Sequence, residues 1–149
     1  YVSLFALGHS LTLILGVMLE LNANPYLVDA VIGLSVVYKA LENLAQQRNW
    51  HFGLDTRAAV FAFGLCHGLG LATKLRQITL PEDGLLTNLL AFNLGVEMGQ
   101  LLALSAIVLL VFVWRQRPRF AVQAAAANWV IMTGGFLLMG IQLSAYWVA

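Results

Sequence analysis

Five long apolar runs, at about 2–19, 26–45, 57–73, 85–113 and 121–148, constrain this chain more than any other feature of it. A helix uses roughly 20 apolar residues to cross the ~30 Å hydrocarbon core of a bilayer, and the runs fall around that length. Polar and turn-forming stretches separate them: Asn22-Ala23-Asn24-Pro25, Gln46 to Thr56, Thr79 to Gly84, and Arg115 to Arg119. The pattern predicts an all-α, polytopic transmembrane helix bundle with five spans in a single domain, residues 1–149. Composition closes off the soluble alternative. Of 149 residues, 60% are hydrophobic and 10% charged, whereas a soluble domain runs nearer ~45–50% and ~25%, so there are too few polar side chains to cover a surface in water. The fourth run would measure ~43 Å as a helix, longer than the hydrocarbon core, and should tilt or protrude. The fifth is diluted by Asn128, Gln142 and the alanines 124–127, but Trp129, Tyr146 and Trp147 suit interfacial positions.

Charge sets the orientation and removes some partners. A net charge of +1, with no basic groove interleaved with aromatics, excludes nucleic acid. The single cysteine, Cys66, rules out an internal disulfide or a CxxC site. The connections after spans two and four carry Arg48, Arg57, Arg115, Arg117 and Arg119, while those after spans one and three carry only Lys74 and Arg76. By the positive-inside rule the arginine-bearing side is expected to be cytoplasmic, with Tyr1 inside, and Ala149, Glu20, Glu82 and Asp83 outside. Tyr1 opens directly into an apolar segment, without a basic leader region or a small-residue cleavage site, and reads as a processed or truncated start.

Ionisable groups retained at membrane depth need a partner and a purpose, because each costs about 2.5–3.5 kcal/mol or more at a helix centre. Placed on ideal helices, His9 lies ~10 Å, His67 ~14 Å, Lys39 ~9 Å and Glu42 ~5 Å from the cytoplasmic ends of their runs, and Glu97 ~18 Å from the outer end of the fourth. Lys39 and Glu42 share a face at i, i+3. They form either an internal ion pair, or a cation-binding carboxylate with Lys39 as its resting counter-charge and Asn43 adding an amide oxygen; Glu42 can also reach the headgroups. In span three, Gly64 and Gly68 flank Cys66 and His67 and allow a neighbouring helix to come close. His67 is either a structural histidine bonded to a carbonyl or a neutral imidazole ligand with room around it. Cys66 reads as a small buried apolar residue.

Span four places Asn93, Glu97 and Gln100 on one stripe, either a hydrogen-bond hub or an ion site, with Gly95 and Gly99 as a packing pair. In span one, Ser10 and Thr12 can bond to carbonyls of their own helix, and His9 alone is ambiguous. Two imidazoles and two carboxylates on four helices suit metal coordination by nitrogen and oxygen better than a nucleophilic triad. His9 and Ser10 are adjacent and do not face each other on a helix, so a hydrolase lacks its geometry.

Four ordered blocks carry a family resemblance: Gly8-His9-Ser10-Leu11-Thr12-Leu13, Ser35-Val36-Val37-Tyr38-Lys39-Ala40-Leu41-Glu42-Asn43, Phe63-Gly64-Leu65-Cys66-His67-Gly68-Leu69-Gly70 and Phe92-Asn93-Leu94-Gly95-Val96-Glu97-Met98-Gly99-Gln100. They resemble the HupE/UreJ membrane protein family over roughly residues 5–103. The resemblance implies a bacterial inner-membrane protein that supplies nickel to hydrogenase or urease as a metal permease. It matches Glu42 and Glu97 to acidic positions implicated in metal passage, His9 and His67 to the family's histidines, and Phe5 to the same pattern. The sequence departs from the pattern in two places. Relatives begin with a further helix bearing a His and an Asp-His pair, giving six spans; the sequence read from Tyr1 does not include it, and a protein that carries it ahead of Tyr1 would have six spans, whereas one without it would not be expected to transport nickel on its own. Many relatives also have a neutral residue where this chain has Lys39.

The expected function is therefore facilitated passage of a divalent transition metal, Ni²⁺ first, with Co²⁺, Zn²⁺ and Cu as alternatives, bound transiently rather than as a resident cofactor. His9, Glu42, His67 and Glu97 are the candidate ligands, supported by Phe5, Lys39, Asn43, Asn93 and Gln100. No nucleotide-binding motif points to direct ATP use. The competing reading is a non-transporting accessory subunit packed within a larger membrane metalloenzyme or oxidase complex. Catalysis is not expected.

Overall fold

The computed structural model describes residues 1–50, 55–76 and 84–148. They form five helices: α1 (Val2–Met18), α2 (Pro25–Gln47), α3 (Thr56–Arg76), α4 (Leu85–Arg115) and α5 (Phe120–Val148). The five apolar runs thus become five helices, and no strand occurs among the described residues. The largest shift in a boundary is at the end of α3, which continues past residue 73 to Arg76, where Lys74 and Arg76 complement the carbonyl end of the helix. Glu82 and Asp83 lie outside the described residues.

Local chemistry sets the ends. The Asn24 side chain accepts from the backbone N–H groups of Tyr26 and Leu27, and Pro25 occupies the first helical position of α2. Asp55 accepts from the N–H of Arg57 at 2.8 Å as α3 begins. Gly84 enters α4 at φ +75°, in left-handed space. Glu20 leaves α1 at φ +50°, where the Leu21 N–H reaches the Gly16 carbonyl at 3.1 Å.

Helices α3, α4 and α5 are long and apolar enough to cross a membrane. At 17 residues α1 is shorter, about 26 Å. Asp29, Lys39 and Glu42 lower the hydropathy of α2. The apolar surface points outward, with Leu102, Leu110 and Val130 all more than 70% exposed, as expected of a protein whose solvent is lipid.

The helices form an open row in the order α4, α1, α3, α2, α5, with neighbours in the chain running in opposite directions. Glycines create the two tight seams. Helices α1 and α3 run parallel, and a Cβ on Gly8 would sit 2.7 Å from the Phe61 carbonyl oxygen. Additional Cβ atoms on Gly64 and Gly68 would overlap the carbonyls of Phe5 and His9. Helices α2 and α5 run antiparallel, with Gly33 against the Gly135 carbonyl and Met139. Leu13, Val17, Ala72 and Leu89 make one core cluster where α1, α3 and α4 meet. Val37, Ala40 and Met132 make another between α2 and α5. Helix α4 is the least embraced: only Leu89 and Asn93 are buried along its 31 residues. The Gly95 and Gly99 pair has no other segment within contact distance, so the tight packing expected there is absent among the described residues.

Candidate functional site

Two stripes on α1 divide its work. Phe5, Gly8, His9, Thr12 and Gly16 face α3, while Ser3, Leu7, Ser10 and Ile14 line the side toward α4. On the α3 side, the Phe5 ring stacks on His9 at a centroid distance of 6.2 Å and meets His67 edge-on at 5.3 Å. His9 is only 3% exposed, and its Nδ1 has no hydrogen-bond partner among the described residues. His67 Nδ1 lies 3.2 Å from the Phe63 carbonyl oxygen one turn earlier. A carbonyl only accepts, so this bond places the proton on Nδ1 and leaves Nε2 of the neutral ring with a lone pair. That is the arrangement in which a backbone oxygen orients an imidazole for ligation.

On the α4 side the Glu97 carboxylate is held through one oxygen. Its Oε1 accepts from Ser10 Oγ at 2.6 Å and from Asn93 Nδ2 at 3.1 Å, and the same amide nitrogen lies 2.9 Å from Ser10 Oγ. Oε2 accepts no hydrogen bond among the described residues. Glu97 lines a cleft of about 650 Å³ between α1 and α4, with Ser10 and Gln100 as its other polar wall groups near mid-span. Asn93 is 8% exposed, and its Oδ1 is buried without a partner among the described residues. His9 lies within electrostatic range of both His67 and Glu97. The three candidate ligands on α1, α3 and α4, namely His9, His67 and Glu97, are therefore gathered in one region.

Glu42 belongs to a different one. Its Oε2 pairs with Lys39 Nζ at 2.6 Å, and its Oε1 accepts from Thr56 Oγ1 at 3.1 Å. The carboxylate side chain is 6% exposed and the ammonium 47%, so the pair runs from the bundle interior to its edge. Thr56 opens α3, whose unsatisfied N–H groups add a favourable positive field. The next residue, Asn43, donates to Asn128 Oδ1 on α5 at 3.0 Å, and Asn128 in turn donates to the Ala124 carbonyl. Among the described residues, no three His, Cys, Asp or Glu side chains are grouped to hold one metal ion. His9, His67 and Glu97 on one side, and Glu42 on the other, form separate positions along the bundle.

Ser10 and Thr56 are partners that residue type alone does not reveal. Ser10 lies on the 3, 7, 10, 14 stripe, and that spacing, distinct from the 5, 9, 12, 16 stripe of His9, was the available signal. Thr56 carries no such signal, since its bond depends on how the connection after α2 returns. Thr12 does bond to its own helix, to the Gly8 carbonyl at 2.9 Å, and also crosses to the Leu65 carbonyl of α3 at 2.7 Å.

The family model described as HupE / UreJ protein matches residues 1–149, the whole chain. No curated protein and no solved structure matches the chain. With five helices, an outward apolar surface and a match along its full length, the chain belongs to the HupE/UreJ family, which is associated with nickel and cobalt transport and accessory function.

Proposed function

We propose that this protein carries a divalent transition metal, Ni²⁺ first among the candidates, across the bacterial inner membrane to supply metalloenzyme maturation. One observation supports this reading most: the Glu97 carboxylate is fixed through Oε1 by Ser10 and Asn93 and borders a cleft with no bond to its other oxygen. A carboxylate with one oxygen anchored is oriented before the ion arrives, and the other is left as a ligand. His9 Nδ1 and Asn93 Oδ1 are further buried atoms without a partner among the described residues, of the nitrogen and oxygen types that Ni²⁺ and Co²⁺ accept.

Passage requires binding weak enough for release. Two positions with few protein ligands each, around Glu97 and around Glu42, suit stepwise exchange of water shells better than one saturated site. The arginine-bearing end, near Glu42, would face the cytoplasm. Because the ion is cargo, no resident cofactor is required. Uptake of Ni²⁺ into proteoliposomes containing the protein tests the proposal. Glu97→Gln and His67→Ala should each lower the rate at equal protein density, and unchanged rates in both would refute it.

A second reading, a non-transporting subunit of a larger membrane complex, is favoured by the open Gly95 and Gly99 face of α4. Copurification of one stoichiometric membrane partner, with no metal bound and no uptake, would support it instead.

A further inference from the structure

We infer that the turn between α4 and α5 is a binding site for the phosphate headgroup of an anionic lipid. The inference is independent of what the protein carries. It starts from a difference between the two ends of the bundle. At one end both basic side chains are paired: Lys74 with Asp29 at 3.1 Å, and Arg76 with Glu20 at 3.7 Å. At the other end Arg48, Arg57, Arg115, Arg117 and Arg119 are all exposed, and none has a carboxylate within ion-pair distance among the described residues. Among the described residues the only ion pair near that end is Lys39 with Glu42, which already neutralise each other.

Three of the five arginines fall within one turn, and that turn is built rather than loose. Trp114 Nε1 donates to Gln123 Oε1 at 2.7 Å, tying the end of α4 to the start of α5. The Trp114 and Phe120 rings meet edge-on at 5.2 Å, and the Arg115 guanidinium lies 5.9 Å from the Phe120 ring centre. Arg117 and Phe120 are joined by a 3.0 Å backbone bond around Pro118. Arg115 is thus engaged on an aromatic face, which leaves Arg117 and Arg119 as forked donors. Both line a cleft of about 620 Å³ together with Leu110 and Val113, exposed apolar residues one to two turns down α4. Guanidinium groups beside an exposed apolar wall match a ligand with phosphate at one end and hydrocarbon at the other. A tryptophan at the same level suits the interface where headgroups lie.

Charge that only orients a chain needs no cleft and no arrangement, so Arg57, which does not line this cleft, serves as the control. The test uses the full chain in nonionic detergent, exposed to equimolar dimyristoyl phosphatidylglycerol and dimyristoyl phosphatidylcholine, with retained lipid read by native mass spectrometry. The wild-type protein should retain phosphatidylglycerol preferentially, less so as salt rises from ~0.1 M to ~1 M. Arg117→Gln combined with Arg119→Gln should lower that retention by about 30-fold, from about fivefold per arginine, while Arg57→Gln leaves it unchanged. Equal retention of the two lipids by the wild-type protein would overturn the inference, and this needs no variant to fold. So would undiminished retention by the folded double variant, or an equal loss in Arg57→Gln. Displacement of the lipid by millimolar inorganic phosphate would also overturn it, since it would mark a site for a free anion.

Discussion

Gly68→Ala is the substitution whose outcome the α1–α3 seam determines most directly. A Cβ at this position would overlap the His9 carbonyl oxygen and the Thr12 hydroxyl. A backbone carbonyl in mid-helix cannot rotate away, so the two helices must separate. Overfilling a packed interface costs typically 1–3 kcal/mol, in round terms ~2. Separation also stretches the 2.7 Å bond from Thr12 to the Leu65 carbonyl, and bonds between helices in a membrane average ~0.6 kcal/mol. The higher helix propensity of alanine returns up to ~1 kcal/mol, for a net destabilisation of about 2 kcal/mol. Gly95→Ala is the matched control, because nothing lies within contact distance of a Cβ there; it should be neutral or stabilising by up to ~1 kcal/mol. Unfolding of both variants in mixed micelles, followed by circular dichroism against denaturing detergent, measures the difference. If the two fall within ~0.5 kcal/mol of each other, the seam is not packed as described and the reasoning fails.

Ser10→Ala removes the shorter of the two bonds to Glu97 Oε1 and should destabilise by about 1 kcal/mol, with a double-mutant cycle against Glu97→Gln showing non-additivity of ~0.5 kcal/mol or more. Lys39→Met leaves the buried Glu42 carboxylate with Thr56 alone; because the ammonium is half exposed, the expected loss is about 1–3 kcal/mol in the same unfolding assay, below the ~3–5 of a fully buried pair. Asn24→Ala deletes the cap of α2 and should cost about 1 kcal/mol. Glu20→Gly, at φ +50°, should raise stability by ~0.5–1 kcal/mol, since the exposed contact with Arg76 that it sacrifices is weak.

The helices were legible because length and hydropathy depend on the chain alone. Asn24-Pro25 and Gly84 mark helix starts by the same local chemistry in sequence and in structure. The site was legible in part. Asn93 and Glu97 share a stripe because i, i+4 spacing dictates it, and Lys39 meets Glu42 because i, i+3 spacing does. Which stripe faces which helix was not available. Ser10 and His9 are neighbours in sequence and look toward different helices, so the partner of Glu97 depends on the order of the row, and nothing local encodes that order. The glycines show the same limit. Gly64 and Gly68 are filled by α1, while Gly95 and Gly99, equally spaced, meet nothing among the described residues.

The glycine seams have a mechanical consequence. Where a glycine faces the carbonyl of the neighbouring helix there is no side chain to repack, so α1 and α3 are expected to shift as a single stiff unit, and α2 with α5 likewise. Helix α4 is attached differently, by Leu89 at one level and by the bonds among Ser10, Asn93 and Glu97 at another. Those polar bonds exchange readily for bonds to an ion or to water. Helix α4 thus joins the row through side chains, without a glycine seam among the described residues, at the cleft bordered by Glu97. On the proposed transport reading, an ion taken up at that carboxylate would alter the angle of α4 before it altered the rest of the row.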